Sequence, residues 1–486
     1  MASCEKNAEA PSSTPQPTAS SADAYGQPGV DHVANELLVK FKAGTSAATR
    51  VAALAAINGE VAERIRTNIL RQDGDNESLL RVKTPLAAID AIARIKGSSI
   101  EYAEPNVIYK AQSVAGDITY TKALTKPYYV AYDSYYVNTD GGTYMSSGEW
   151  GMNGATSIDF TLPNRNQFGS GADVAWANGN IGSSSVVIGI VDTGIQTGHP
   201  DLDGQVNNPA SASTPYPYLD DAFGWNFINN NNDVSDYGSK PYSRDHGTYM
   251  AGIIGAKPDV TKNTTATSLV GMNWNVTLVA AKFMDAKGGT TANAVNAINY
   301  LVELKKKHGV NIVAINCSWG STVFSQALFD AIASANTVDP ITKKLTILIV
   351  ASAGNGDNGG SPVNDDVTPF YPACYNLPNI ISVAAINPAG SMYQTSNYGS
   401  SSVDLGAPGA RIWTTVAGSS WYSYSGTSVA TAFVTGAAAL YAAAHPMAAA
   451  ADIKSAIMSA ASAPAAYTPS LAGKCVTSGH LDVSGF

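Results

Sequence analysis

Four short segments of this 486-residue sequence carry side chains that could perform nucleophilic chemistry. Asp192-Thr193-Gly194 follows the apolar run Val186 to Val191, and a carboxylate at a rigid strand end can orient an imidazole. Asp245-His246-Gly247-Thr248 opens a small-residue segment, where a histidine at a helix head can present its ring to a cleft. Gly426-Thr427-Ser428-Val429-Ala430 runs into an Ala- and Gly-rich helix reaching Tyr441. A serine there meets backbone N–H groups and a helix dipole that favour negative charge, as a developing oxyanion requires. Ala351-Ser352-Ala353-Gly354-Asn355 ends a further apolar run, and the Asn355 amide can donate to that oxyanion. Each segment alone has an ordinary explanation: a strand-end turn, a structural histidine or a Ser N-cap. Together they supply nucleophile, base, orienting carboxylate and oxyanion donor, the parts needed for acyl transfer.

These residues need a frame that brings distant segments together. From Ser185 onward apolar runs alternate with helical stretches. Val186 to Val191, Thr277 to Ala281, Ile312 to Asn316, Leu345 to Ala351 and Ile380 to Ala385 read as strands covered on both faces. Thr291 to Lys307 and Gln326 to Ala335 read as helices between them. The fold class is α/β, a doubly wound and mostly parallel sheet preceded by a small α+β domain. Active sites in such sheets lie at the carboxyl ends of the strands, where the Asp192 and Asn355 segments begin.

The first part of the chain is organised differently. Residues 1–34, rich in Pro, Ser, Thr and Ala, read as a flexible tether. Residues 35–110 show strand, helix, strand, helix, strand: Glu36 to Phe41, Ala47 to Ile57, Leu79 to Val82, Leu86 to Ile95 and Ile100 to Tyr109. The first helix is expected to set Val51, Leu54 and Ile57 on one apolar face. Residues 111–170, Tyr-rich from Tyr128 to Tyr136, read as a linker and extension over the surface of a domain spanning 171–486.

Composition narrows the function. Hydrophobic residues at 45% and charged residues at 14% support a large core. A net charge of -9 without a basic cluster argues against nucleic-acid partners. No stretch reads as long enough to span a membrane. The four cysteines form no Cys-x-x-Cys pair, which argues against zinc. Cys317 lies in an apolar run and reads as a buried thiol; a Cys374–Cys475 disulfide is left open. The start shows no apolar leader, but Ala2-Ser3-Cys4 before a polar tether resembles the end of a bacterial lipoprotein signal. That reading makes the protein exported, secreted or held at the cell surface by a lipid on Cys4, with its signal sequence absent from this chain.

The order Asp, His, Ser along such a sheet resembles the subtilisin-like serine proteases (subtilases, peptidase family S8) of bacterial type. The resemblance covers nearly everything after about residue 148. It includes His199-Pro200-Asp201-Leu202, Gly224-Trp225-Asn226-Phe227, Gly271-Met272-Asn273-Trp274-Asn275-Val276, Asn316-Cys317-Ser318-Trp319-Gly320, Tyr371-Pro372-Ala373 and Ala407-Pro408-Gly409. Residues 35–110 resemble the family's inhibitory propeptide, chiefly through the opening strand and Glu101-Tyr102-Ala103-Glu104-Pro105-Asn106. The resemblance implies a serine endopeptidase acting on protein or peptide substrates, made as a self-inhibited precursor and needing no cofactor for catalysis. It makes Asp192, His246 and Ser428 the triad and Asn355 the oxyanion donor. It implies that Ser318-Trp319-Gly320 and Ala351-Ser352-Ala353-Gly354 pair with a substrate backbone and frame its specificity pocket. Phe370, before a turn resembling the family's cis-proline turn, either projects into that pocket and makes it shallow or packs into the core. Self-cleavage is expected between Tyr109 and about Lys126, with small residues such as Val114 and Ala115 suited to a shallow pocket.

Some residues depart from the family pattern. Tyr249 replaces a second histidine, and Ala432 replaces a proline. The segment from Lys257 to Asn263 replaces an asparagine-rich calcium loop, which leaves Asp201 as a lone candidate ligand for a structural calcium. The oxygen-rich loop Asn229 to Asp236 is either a cation site or a solvated turn. The rival function is a non-catalytic, adhesin-like binding protein on the same fold. Such a protein is expected to lack one of the four reactive residues, and this sequence has them all.

Overall fold

The computed structural model describes residues 31–65, 79–111 except 96 and 98, 150–152, 167–210, 221–236, 245–258, 269–336 and 347–486 except 419. The tether, Cys4 and most of the Tyr-rich linker lie outside these residues.

The N-terminal unit runs β1 (His32–Phe41), α1 (Ala47–Ala55), β2 (Glu60–Ile65), β3 (Leu79–Lys83), α2 (Ala88–Ile95) and β4 (Ile100–Ala111). The strands pair antiparallel in the order β2-β3-β1-β4. Ser46 caps α1, its Oγ accepting the Thr49 N–H at 3.1 Å. One sheet face closes a core of Leu37, Val39, Phe41, Leu80 and Val82 with Ile57 and Ile95. Val51 is 68% exposed, so the face of α1 inferred from the sequence is only partly right. β2 was not foreseen. Its inward residues are only half-buried until Ile65, which blurs the alternation that signals a strand.

The second unit continues with α3 (Ala172–Ala177), β5 (Gly182–Asp192), β6 (Gly224–Asn226), α4 (His246–Gly255), β7 (Asn275–Lys282), β8 (Met284–Asp285), β9 (Gly288–Thr290) and α5 (Thr291–His308). There follow β10 (Ile312–Cys317), β11 (Trp319–Gly320), α6 (Gln326–Ala335), β12 (Leu348–Ser352), β13 (Ile380–Ile386), β14 (Leu405–Pro408), β15 (Ile412–Val416), β16 (Ser420–Tyr424), α7 (Thr427–Ala444) and α8 (Ala450–Ala461). A seven-stranded parallel sheet, ordered β14-β13-β12-β10-β5-β7-β6, forms the centre.

The interior strand β5 shows why its sequence is almost wholly apolar. Val186, Ile188 and Ile190 point into the core shared with α4 and α7. Val187 and Val191 point the other way, into the core shared with α5 and α6. α7 is, among the described residues, one helix long and apolar enough to cross a membrane, where the sequence suggested none. It is buried in the protein core instead. Cys317, Cys374 and Cys475 are free thiols, so Cys374 and Cys475 do not form a disulfide here.

The two units share a face. Leu38, Ile65, Leu79, Val107 and Tyr109, from the sheet surface opposite α1 and α2, join the core beneath α5 and α6. Burying each large side chain contributes about 1.5–3 kcal/mol. Lys40 bonds Asp330 of α6 at 3.2 Å, and Asn296 of α5 donates to Glu63 at 2.8 Å.

Candidate active site

Asp192 ends β5, an interior strand of the sheet flanked by β10 and β7, and is fully buried. His246 is the first residue of α4 and is 1% exposed. Its Nδ1 lies 2.9 and 3.0 Å from the two Asp192 carboxylate oxygens. This close approach depends on glycine. A methyl group on Gly247 would fall 2.1 Å from the Gly194 carbonyl, and Gly194 itself has φ 114°. The Thr193 N–H donates to Asp192 at 2.7 Å and fixes the carboxylate. The other ring nitrogen, Nε2, is buried without a hydrogen-bond partner among the described residues.

Ser428 occupies the first turn of α7, behind Gly426 at φ 137°. The helices α4 and α7 pack on each other and on β5. The Ser428 hydroxyl donates to the Ser318 carbonyl at 3.0 Å, and the Ser318 hydroxyl donates to the Ser428 carbonyl at 3.0 Å. Asn355 turns its Oδ1 to the Thr427 N–H at 2.9 Å and the Thr427 hydroxyl at 3.0 Å. That leaves its NH₂ on the side away from Thr427. Thr427 was part of the sequence motif but had been given no role.

The cleft has two backbone edges. Trp319 and Gly320 pair antiparallel with Ala111 and Lys110. On its other side the same segment of β4 pairs with β9, Ile108 against Thr290 and Tyr109 against Gly289. β9 was missed in the sequence because a Gly-Gly-Thr triplet carries no strand pattern. Trp319 is fully buried, and its Nε1–H donates to the Val191 carbonyl at 2.7 Å. Tyr109 is also fully buried and packs edge-on to Trp319, with ring centroids 5.2 Å apart.

The other expected edge is different. Ala351 and Ser352 pair within the central sheet, the Ala353 N–H bonds Val383 and the Gly354 N–H bonds Thr427. These residues therefore wall the cleft and do not offer a free pairing edge. Of the two alternatives for Phe370, the ring lies between the cleft segments. A methyl group on Gly320 would sit 2.2 Å from it, and one on Gly354 3.3 Å. The Tyr371–Pro372 bond is cis.

Asp201, the lone candidate calcium ligand, is buried. Its Oδ2 accepts the Leu269 N–H at 3.0 Å and the Trp421 Nε1–H at 2.6 Å. Two donors converging on one oxygen compete with a cation for it. The loop from Asn229 to Asp236 closes on itself through Asn226, Asn231 and Asp233. Among the described residues no cluster of three His, Cys, Asp or Glu side chains could hold a metal ion.

Comparison with known proteins agrees with this architecture. The subtilase family profile (Peptidase_S8) matches residues 183–478, and the fervidolysin N-terminal prodomain profile matches residues 18–106. Thermitase of Thermoactinomyces vulgaris is 33% identical over 260 residues, covering 53% of this chain and 75% of thermitase. The thermophilic serine proteinase of a Bacillus species is 29% identical over 415 residues, 85% of this chain and 78% of that protein. Subtilisin-like protease 2 of Plasmodium falciparum is 32% identical over 267 residues, and the match spans only 18% of that longer protein. The crystal structure of fervidolysin from Fervidobacterium pennivorans superposes with a TM-score of 0.59 at 20% identity, covering 90% of this chain and 58% of that one. The chain belongs to the subtilase family.

Proposed function

We propose that the protein is a serine endopeptidase whose own residues 31–111 occupy its substrate cleft. The observation that carries this reading is the seating of β4. Residues Ile108 to Ala111 form the middle strand between β9 and β11, as an extended peptide substrate would. The strand runs toward Ser318, whose carbonyl accepts the Ser428 hydroxyl.

In the proposed reaction the Ser428 hydroxyl rotates from the Ser318 carbonyl to His246 Nε2, the buried nitrogen that has no other partner. His246 takes its proton as Ser428 attacks the peptide carbonyl. Asp192 holds the Nδ1–H tautomer and stabilises the imidazolium that forms. The Asn355 NH₂ and the Ser428 N–H, at the head of α7, bind the oxyanion. His246 then protonates the leaving amine, and water hydrolyses the acyl-enzyme by the same route. The chemistry uses these side chains and a water, and no cofactor enters a step.

Maturation by self-cleavage, export, and lipid attachment at Cys4 belong to the same proposal. Mass spectrometry of the purified full chain, with and without a fluorophosphonate probe, tests it. One adduct on the Ser428 peptide is the supporting result. Absence of labelling in the folded, matured protein favours the binding-protein alternative.

A further inference from the structure

We propose that Asp236 is a positioning residue for the Asp192–His246 pair, tying the strand that carries the carboxylate to the helix that carries the imidazole. This rests on the peptidase reading above. Asp236 closes the loop after β6 and is 1% exposed. Its Oδ2 accepts the Thr193 hydroxyl at 3.1 Å, the Thr248 N–H at 3.2 Å and the Thr248 hydroxyl at 3.0 Å. The Thr193 oxygen in turn accepts the Gly247 N–H at 2.8 Å.

The direct partners of Asp236 are the residue after Asp192 and the second residue after His246, and Gly247 is linked to it through Thr193. Through Oδ2, Asp236 adds to the direct Thr193–Gly247 and Gln196–Thr248 bonds in holding the end of β5 against the first turn of α4. The separation of these two segments sets the contacts between His246 and Asp192. Thr193 is also held from its carbonyl side, where Lys282 of β7 donates to it and, at 3.1 Å, to the Ser235 carbonyl.

The other oxygen, Oδ1, is buried with no hydrogen-bond partner among the described residues. A buried carboxylate with an idle oxygen is a costly way to stabilise a loop, so its retention calls for a role. The charged groups facing it are Lys282, which favours its ionised form, and Asp192 and Asp245, which oppose it. Burial outweighs them all and pushes its pKa well above the usual carboxylate range. Either charge state can make the tether, because a proton can sit on idle Oδ1 while Oδ2 keeps its three donors.

The test is steady-state hydrolysis of a peptide p-nitroanilide by the matured enzyme, normalised to active sites. Asp236→Ala is expected to lower kcat by roughly 10²-fold, the cost of a small misplacement at the chemistry, with KM within about twofold. Asp236→Asn retains an oxygen for the same donors and is expected to recover to within about tenfold of wild type. In an Asp192→Ala background the Asp236→Ala change should cost nothing further, since it acts through that carboxylate. A wild-type kcat in Asp236→Ala, a loss confined to KM, or full additivity with Asp192→Ala overturns the inference. If Asp236→Ala does not fold, Thr193→Val, which removes the link to Gly247, must lower kcat in the same way, and an unchanged kcat overturns the proposal. A folded wild type without turnover removes the peptidase reading and this inference together. An active wild type with an indifferent Asp236 removes only the inference.

Discussion

Glu104 of the N-terminal unit rests its carboxylate on the first turn of α6, where the Gln326 N–H reaches it at 2.8 Å. The Ser325 hydroxyl and the Ala327 N–H complete the contact at 2.6 and 3.2 Å. Two residues on, Asn106 accepts the Ala292 N–H at the head of α5 at 3.1 Å. One strand thus caps two helices of the other unit, satisfying N–H groups that a helix leaves unpaired.

This contact makes docking depend on pH. Burial raises Glu104 from the usual carboxylate value of 4.5 to about 7, and the three donors limit the rise. The docked state therefore prefers the protonated acid. Its contribution is fully present below pH 4.5, declines as pH rises, and is lost above about 7. The span corresponds to on the order of 3 kcal/mol. Thermal unfolding of full-length Ser428→Ala should show this loss between those limits, and adding Glu104→Gln should flatten the curve. A double variant whose pH dependence matches Ser428→Ala alone would exclude Glu104 as the titrating group.

The central sheet was legible because both of its faces are covered. Val186 to Val191 is apolar at nearly every position, which no half-buried strand would be. The reactive residues were legible because each follows such a run or opens a small-residue helix. Local pattern carries no information about edges and docking. Glu104 reads as one polar residue in a strand, and its partner lies 222 residues away. Asp236 reads in the sequence only as part of an oxygen-rich loop, a cation site or a solvated turn, although its carboxylate is buried. Val51 looked like a core position from its spacing, yet nothing packs over it.

Loss of Asn355 should affect turnover more than binding. Its oxygen is held by Thr427, so its NH₂ is oriented before substrate arrives. Asn355→Ala is expected to lower kcat by roughly 10²- to 10³-fold with KM little changed. Steady-state kinetics on a peptide substrate measure both, and an undiminished kcat would remove Asn355 from the oxyanion site.

Phe370 should restrict the side chain that precedes the cleaved bond. Its ring lies against Gly320 and Gly354 and is 9% exposed. Wild type is expected to favour small and medium residues there. Phe370→Gly vacates the space between the two walls and should shift preference toward large aromatic residues by tenfold or more, in line with about 1–3 kcal/mol per pocket contact. Profiling with a peptide library decides it. Identical profiles for the two proteins would mean that the ring packs outside the pocket.

The seating of β4 also bears on where the chain cuts itself. Gly320 faces Lys110 and Trp319 faces Ala111. The described pairing ends one residue short of Ser318, whose carbonyl accepts the Ser428 hydroxyl, and the prediction is that the chain keeps this register. The bond expected to break is therefore Gln112–Ser113, upstream of the small residues Val114 and Ala115. Tyr109, within the described part of the strand, pins the register ahead of this bond. Its ring, fully buried beside Trp319, anchors the strand and resists slippage. A shift by one residue would turn its side chain to the other face. Mass spectrometry of the matured protein should find Ser113 at its N-terminus. Ser428→Ala should remain full length, whereas Tyr109→Ala should cut more slowly and at scattered positions. A single cut elsewhere in wild type would show that the register does not guide the cleavage. Processing of purified Ser428→Ala at the wild-type rate would assign the cut to another protease.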